Sequence, residues 1–257
     1  MDKRQVICEV AATEEVGPGI FLVALRPVDG ETAFEPAQFI FLKPVAGEPP
    51  LLRRPFGILD VVDGCARILF DVRGSGTRAL AGMRVGDSAD ALYPLGTGFP
   101  LPTGDETPVL VAGGMGLAPV HSLAVRLKEL GRSFVLVYGA RSAAQLVLKD
   151  QVAALGDEVR LCTDDGSCGH HGLVTELLPA PEVGVHFYAC GPDPMMAAVA
   201  RHAGDRPCHV SLEERMACGV GVCMGCVTMV QRPGGGRRFE RICVEGPVFD
   251  ARELVWS

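Results

Sequence analysis

Apolar positions along the chain keep two different rhythms. From Gln5 to about Leu101, short β-rich runs ("QVICEVAAT", "IFLVALRP", "QFIFLKPV", "FGILDVV", "ARILFDV") are separated by Gly, Pro and Asp turns, with almost no helical period. Such runs predict an antiparallel barrel or sandwich. After "LPTGDETP" the rhythm changes: "VLVAGG", "SFVLVYGA", "EVRLCTDDG" and "HFYACGP" alternate with the amphipathic "LAPVHSLAVRLKELG", "LVTELLP" and "DPMMAAVARHAG". Apolar runs alternating with helical segments predict a doubly wound parallel sheet covered by helices. A third stretch opens with clustered cysteines and continues as "VTMVQRPGGGRRFERICVEGPVF", which reads as a hairpin turning on glycines 234–236. The chain therefore divides into a β domain over 1–102, an α/β domain over 103–206 and a small domain over 207–257.

Composition narrows the function classes. A chain of 257 residues with 48% hydrophobic residues can bury a sizeable core in two domains and a small third. Its 24 basic against 31 acidic residues lack the basic surplus that nucleic-acid or anionic-membrane partners require. No run approaches the roughly 18 uncharged apolar residues of a membrane span, and "MDKRQVICEVAATEEVG" has no apolar leader core, so a cytoplasmic location is expected. Six of the ten cysteines (Cys8, Cys65, Cys162, Cys168, Cys190, Cys208) are scattered without paired spacing, and read as small buried apolar residues rather than a disulfide framework.

Candidate chemistry begins at "VAGGMGLAPV", where Gly113, Gly114 and Gly116 lie between a strand and a helix. Missing side chains there let backbone N–H groups approach a pyrophosphate. The spacing is not the G-x-G-x-x-G fingerprint, and a purely structural turn is the alternative. "YGAR", "TDDGS" and "ACGP" fall at other strand ends, so all four segments would border one crevice. Asp164 and Asp165 are either solvated turn residues or acceptors for ribose hydroxyls. An acidic crevice disfavours a 2′-phosphate, which favours NAD over NADP.

Cys218, Cys223 and Cys226 follow C-x4-C-x2-C, with Cys243 further on. This is the plant-type spacing by which thiolates hold a [2Fe–2S] cluster. Gly219, Gly221 and Gly225 permit the tight wrapping and N–H approaches that a cluster loop needs. A structural zinc and four unligated thiols are the alternatives. Val220, Val222 and Met224 give the loop an apolar rim, which predicts that another protein covers it.

"RRPFGIL" (53–59), "GSGTRAL" (74–80), "YPLGTGF" (93–99), "GGMGLAP" (113–119), "YGAR", "TDDGSCGHHG", "ACGP" and the cysteine series occur in an order that resembles the dihydroorotate dehydrogenase B electron-transfer subunits, within the ferredoxin reductase-like flavoproteins. The resemblance implies a Greek-key flavin barrel, an NAD-binding α/β domain and a small iron–sulfur domain. It implies that Arg54, Pro55 and Phe56 meet FAD, with the arginine on its diphosphate, and that Gly74, Gly76 and Thr77 form a second phosphate-facing turn. Gly57 departs from the serine or threonine usual there. Cys190 and Gly191 would lie near the nicotinamide, an ordinary buried thiol being the alternative for Cys190. A flavin reconciles two-electron nicotinamide with a one-electron cluster, so no residue here need act as a catalytic acid or base. By the same resemblance the partner is an FMN-containing subunit oxidising dihydroorotate to orotate in pyrimidine biosynthesis, in a heterotetramer. The alternatives are a reductase subunit of another complex, of the ferredoxin:NADP oxidoreductase or hydrogenase type, and a zinc-stabilised binding module.

Overall fold

Six strands close the N-terminal barrel in the order β1-β2-β5-β4-β3-β6, every neighbouring pair antiparallel. They are β1 (Arg4–Gly17), β2 (Ile20–Pro27), β3 (Phe39–Pro44), β4 (Arg54–Val62), β5 (Cys65–Asp71) and β6 (Ser88–Leu95), with a short helix α1 (Ser75–Ala81) before β6. The structure is a computed structural model and describes residues 3–28, 32–45, 52–156, 158–232 and 234–256. Alternation is clean in β1, where Val6, Cys8 and Val10 point inward. The β4–β5 turn places Asp63 and Gly64 at φ 49° and 75°, the left-handed pair that a two-residue hairpin demands. Strand β6 carries a charge in mid-run, Asp90, and so lacks a hydrophobic signature. That carboxylate is buried because Gln5 Nε2 donates to it at 2.9 Å and Arg53 pairs with it.

The second unit runs β7 (Thr107–Gly113), α2 (Leu117–Glu129), β8 (Val135–Ala140), α3 (Lys149–Ala153), β9 (Glu158–Thr163), β10 (His170–His171), β11 (Val185–Cys190), α4 (Asp193–Ala203) and β12 (Cys208–Ser211). "LVTELLP" makes only a 3-10 turn at Val174–Leu177. A hairpin of β13 (Val227–Gln231) and β14 (Arg237–Arg241) follows, then β15 (Val248–Asp250). The large sheet is ordered β10-β9-β8-β7-β11-β12-β15, parallel except for β15, which returns from the C-terminal segment to pair antiparallel with β12. Sheet order reverses at β7, with β8 on one side and β11 on the other. Ligand crevices open at such a switch point, beyond the carboxyl ends of the strands.

Helix α2 is buried from Leu117 through Ala124 because it packs on the sheet and the barrel at once. Its Leu123 and Ala124 share one core with Leu110 and Tyr138 of the sheet and with Leu22, Leu59 and Leu69 of the barrel. Polar bonds fix the seam: Ala37 N–H donates to Ser122 Oγ at 3.1 Å, and His121 Nδ1 bonds Leu59 O at 3.2 Å. Burial lowers the pKa of His121 despite the nearby Asp60 carboxylate, so it stays neutral in that seam. None of the ten cysteines is in a disulfide. Among the described residues no helix is long and apolar enough to cross a membrane.

Candidate functional site

A groove of about 740 Å³ runs between the barrel, the start of α2 and the segment after β12. That is within the usual range for a cofactor pocket. Arg54, Pro55, Phe56 and Gly57 enter it from β4, and Gly74, Gly76 and Thr77 from the turn into α1. A Cβ on Gly76 would stand 2.1 Å from Arg54 Nε, so the guanidinium lies directly over a backbone that only glycine leaves open. Arg54 also donates to Leu52 O. Thr77 Oγ1 accepts the N–H groups of Arg73 (2.9 Å) and Gly74 (3.1 Å), which locks the turn. At Gly57 an added Cβ would meet Pro119 at 3.4 Å and Ala118 Cβ at 3.5 Å. The missing hydroxyl is thus a matter of this sequence, not of space.

Strands β7, β8, β9 and β11 end at one edge: Gly113 pairs with Gly139, Ala140 with Thr163, and Cys190 with Ala112. Gly113, Gly191 and the loops carrying Asp164 and Asp165 therefore lie at the same edge of the sheet. Gly116 is needed for packing, since a Cβ there would lie 2.2 Å from Cys190 O, whereas Gly114 has φ 55° and open space around it. Asp165 Oδ1 accepts both Ser167 N–H (3.0 Å) and Ser167 Oγ–H (2.5 Å), which makes it a turn-forming residue. Asp164 N–H donates to Ala140 O at 3.1 Å. Cys190 is fully buried, and burial pushes its thiol well above the ordinary range.

The thiols of the C-terminal loop are neighbours, Cys218 beside Cys223, Cys226 beside Cys243, and Cys218 near enough to act on Cys243. Among the described residues no set of three or more His, Cys, Asp or Glu is arranged to hold a single metal ion. Four thiolates are what a [2Fe–2S] cluster requires, two on each iron. Val222 and Cys223 donate their N–H groups to Cys218 Sγ at 3.3 and 3.4 Å. Burial opposes ionisation of Cys218, but these donors and that of Val220 bring its thiol down to about 6. Burial, then Cys226 beside it, pushes Cys243 up to about 12. Gly219 and Gly221 have φ 68° and 85°, and Cβ atoms on them would stand 2.6 Å from Phe41 Cδ1 and Val244 Cγ2. Glycine is thus required twice over. Arg241 ties the loop down, donating to Gly221 O at 2.8 Å and pairing with Glu245.

Groove and loop are neighbours through two connections. Phe39 lines the groove while Phe41, two residues along β3, presses on the loop. The segment Leu212 to Met216 lines the groove and leads to Cys218. Glu213 in that segment lines the groove and belongs to no motif read from the sequence.

Two family models match the chain: the oxidoreductase NAD-binding domain over residues 110–201, and the iron–sulfur cluster binding domain of dihydroorotate dehydrogenase B over residues 213–255. The solved structure of an NADH-dependent reduced ferredoxin-NADP oxidoreductase superposes with a TM-score of 0.83 at 26% identity, covering 97% of this chain and 90% of that one. The ferredoxin reductase of carbazole 1,9a-dioxygenase shares the fold with a TM-score of 0.72 at 22% identity, over 82% of this chain and 69% of that one. Fold, groove and thiol loop define an oxidoreductase of the ferredoxin reductase type, built for FAD, a [2Fe–2S] cluster and NAD. The dihydroorotate dehydrogenase B (NAD(+)) electron transfer subunit of Geobacillus kaustophilus is 42% identical over 226 residues, 86% of this chain and 87% of its own length. That of Bacillus cereus strain B4264 is 34% identical over 262 residues, 99% of each chain. The chain belongs to the family of dihydroorotate dehydrogenase B electron transfer subunits.

Proposed function

We propose that this chain carries electrons between NAD and an FMN-containing partner that interconverts dihydroorotate and orotate. The observation that supports this most is the adjacency, in one chain, of a cofactor-sized groove, a nucleotide crevice at a sheet switch point and neighbouring thiols, packed together by Phe39 and Phe41. Cys218, Cys223, Cys226 and Cys243 would hold the cluster; Arg54, Pro55, Phe56, Gly74, Gly76 and Thr77 would hold FAD; Gly113, Gly114, Gly116, Gly191 and Asp164 would border NAD. When bound, the flavin exchanges electron pairs with nicotinamide and single electrons with the cluster. The protein's own work is placement. Arg54 supplies fixed donors to a diphosphate, the seam through α2 holds barrel and sheet together, and Pro119 over Gly57 limits the space for the ring. The domain division 1–102, 103–206 and 207–257 is proposed in the same sense, with β12 and β15 stitching the third unit onto the sheet of the second.

The partner's place is the apolar rim of the thiol loop, where Val220, Val222 and Met224 are 44%, 81% and 52% exposed. Apolar surface of that kind marks a protein contact. A Val222→Asp variant tests this, because so exposed a side chain contributes little to folding. The catalytic subunit should no longer co-purify, while flavin and iron–sulfur absorbance of this chain stay at wild-type levels. Undiminished co-purification would overturn the assignment of the docking face.

A further inference from the structure

Arg241 bonds to both segments that carry the ligand thiols. On β14 it pairs with Val227, the residue after Cys226, so strand register alone returns it to the thiol loop. Its Nη1 donates to Gly221 O at 2.8 Å, and a Cβ on Gly221 would stand 3.2 Å from that nitrogen and 3.4 Å from Cζ, so the guanidinium lies against the loop backbone. Arg241 O accepts Val244 N–H at 3.1 Å and Glu245 N–H at 2.9 Å, which closes the turn carrying Cys243. Glu245 completes the hub: its Oε2 accepts Arg241 N–H at 2.7 Å and Nε–H at 3.0 Å, and its Oε1 pairs with Nη2. The carbonyl of Gly221 belongs to the same peptide group as the N–H of Val222, and that N–H donates to Cys218 Sγ at 3.3 Å. A peptide group is planar, so fixing its carbonyl fixes the direction of its N–H. Drawing charge onto the carbonyl oxygen also strengthens the donor, as in any chain of hydrogen bonds. The guanidinium is charged at every pH the protein meets, and Cys226 and Cys243 lie near enough to act on it. At 32% and 27% exposed, the side chains of Arg241 and Glu245 are screened by solvent only in part.

We propose that Arg241 is a positioning residue that raises the reduction potential of the cluster by acting on Cys218 through the Gly221–Val222 peptide, and that Glu245 opposes it. The inference rests on the cluster reading of the four thiols. Reduction adds one electron and no atom: the flavin or the partner subunit is the donor, and the ligand set gains one negative charge. A cation beside that set, and N–H groups directed at its sulfurs, favour the added charge. The carboxylate of Glu245 disfavours it, even while holding the guanidinium in place. The two members of this ion pair therefore push the potential in opposite directions, although both tie the loop down. Glutamine at 241 removes the cation, whereas lysine keeps it. Glutamine at 245 removes the anion and keeps an acceptor for the guanidinium.

The test is a redox titration followed by electron paramagnetic resonance, on the complex purified with its natural partner, comparing wild type with Arg241→Gln, Arg241→Lys and Glu245→Gln. The cluster midpoint should fall in Arg241→Gln, rise in Glu245→Gln and stay closest to wild type in Arg241→Lys, with the flavin midpoints moving less than that of the cluster. A shift of both glutamine variants in the same direction, or of neither, overturns the proposal and leaves Arg241 a mechanical clamp. Should Arg241→Gln fail to assemble, Glu245→Gln decides alone, because a midpoint at or below that of wild type is the opposite of what the proposal requires. A wild-type complex holding no iron would bring down the cluster reading itself, and the proposal with it.

Discussion

Gly76 and Arg54 form a pair whose meaning is plain only in three dimensions. The guanidinium lies on the backbone of Gly76, where an added Cβ would come within 2.1 Å of Nε. A Gly76→Ala protein should fold, because the obstructed atoms belong to a long flexible side chain, but its arginine must swing out of the groove. Losing charge-assisted hydrogen bonds of about 1.5–3 kcal/mol should weaken FAD binding by about tenfold or more, read by titrating the apoprotein with FAD. Wild-type affinity in Gly76→Ala would separate Arg54 from FAD. Gly57→Ser should behave oppositely: its Cβ makes only ordinary contacts with Pro119 and Ala118, so stability should stay within about 1 kcal/mol while the flavin absorbance bands move. The cysteine pattern was legible from spacing because metal chemistry fixes thiol number and separation. Arg241, which donates to Gly221 O and pairs with Glu245, was not, since only the pairing of β14 with β13 brings it beside the thiol loop.

Among the elements, those with a strong period were legible and those held by charge or by remote pairing were not. Strands β1 to β5 and helices α2 and α4 follow from apolar rhythm, whereas β6 carries a buried Asp90 satisfied by Gln5 and Arg53. The pairing of β15 with β12 joins segments with the whole cysteine region between them, and nothing local announces it. At the opening end of β11 and β12, His186 Nε2 lies 2.9 Å from His209 Nδ1, and His186 Nδ1 lies 3.2 Å from Glu106 Oε2. Burial, then the neighbouring His186, drives His209 from 6.5 down to about 4, and burial lowers His186 as well. Both rings therefore stay neutral in the fold at pH values where the unfolded chain is protonated. Their contribution to stability is full above about pH 6.5 and is lost as pH falls toward 4, about 3 kcal/mol at most from His209. Thermal melts should show Tm dropping through that window, with a shallower drop in His209→Gln. An equal drop in both proteins would place the pH dependence elsewhere.

At the scale of the whole molecule, three units behave as one body because their cores are shared. Helix α2 serves sheet and barrel together, and one further core unites Phe39 and Phe41 of the barrel with Cys226 and Cys243 of the loop and Phe187 of the sheet. Distances among groove, crevice and thiol loop are then properties of packing rather than of hinges. Such rigidity suits a chain whose task is to keep redox groups at fixed separation while other proteins and nucleotides come and go. The most direct test is an anaerobic absorbance spectrum of the protein purified with its natural partner, recorded before and after dihydroorotate and then after NAD+. Flavin and iron–sulfur bands should bleach with dihydroorotate and return with NAD+ as NADH appears. Bands that bleach with NADH but ignore dihydroorotate would contradict the pyrimidine assignment and leave a reductase serving a different partner.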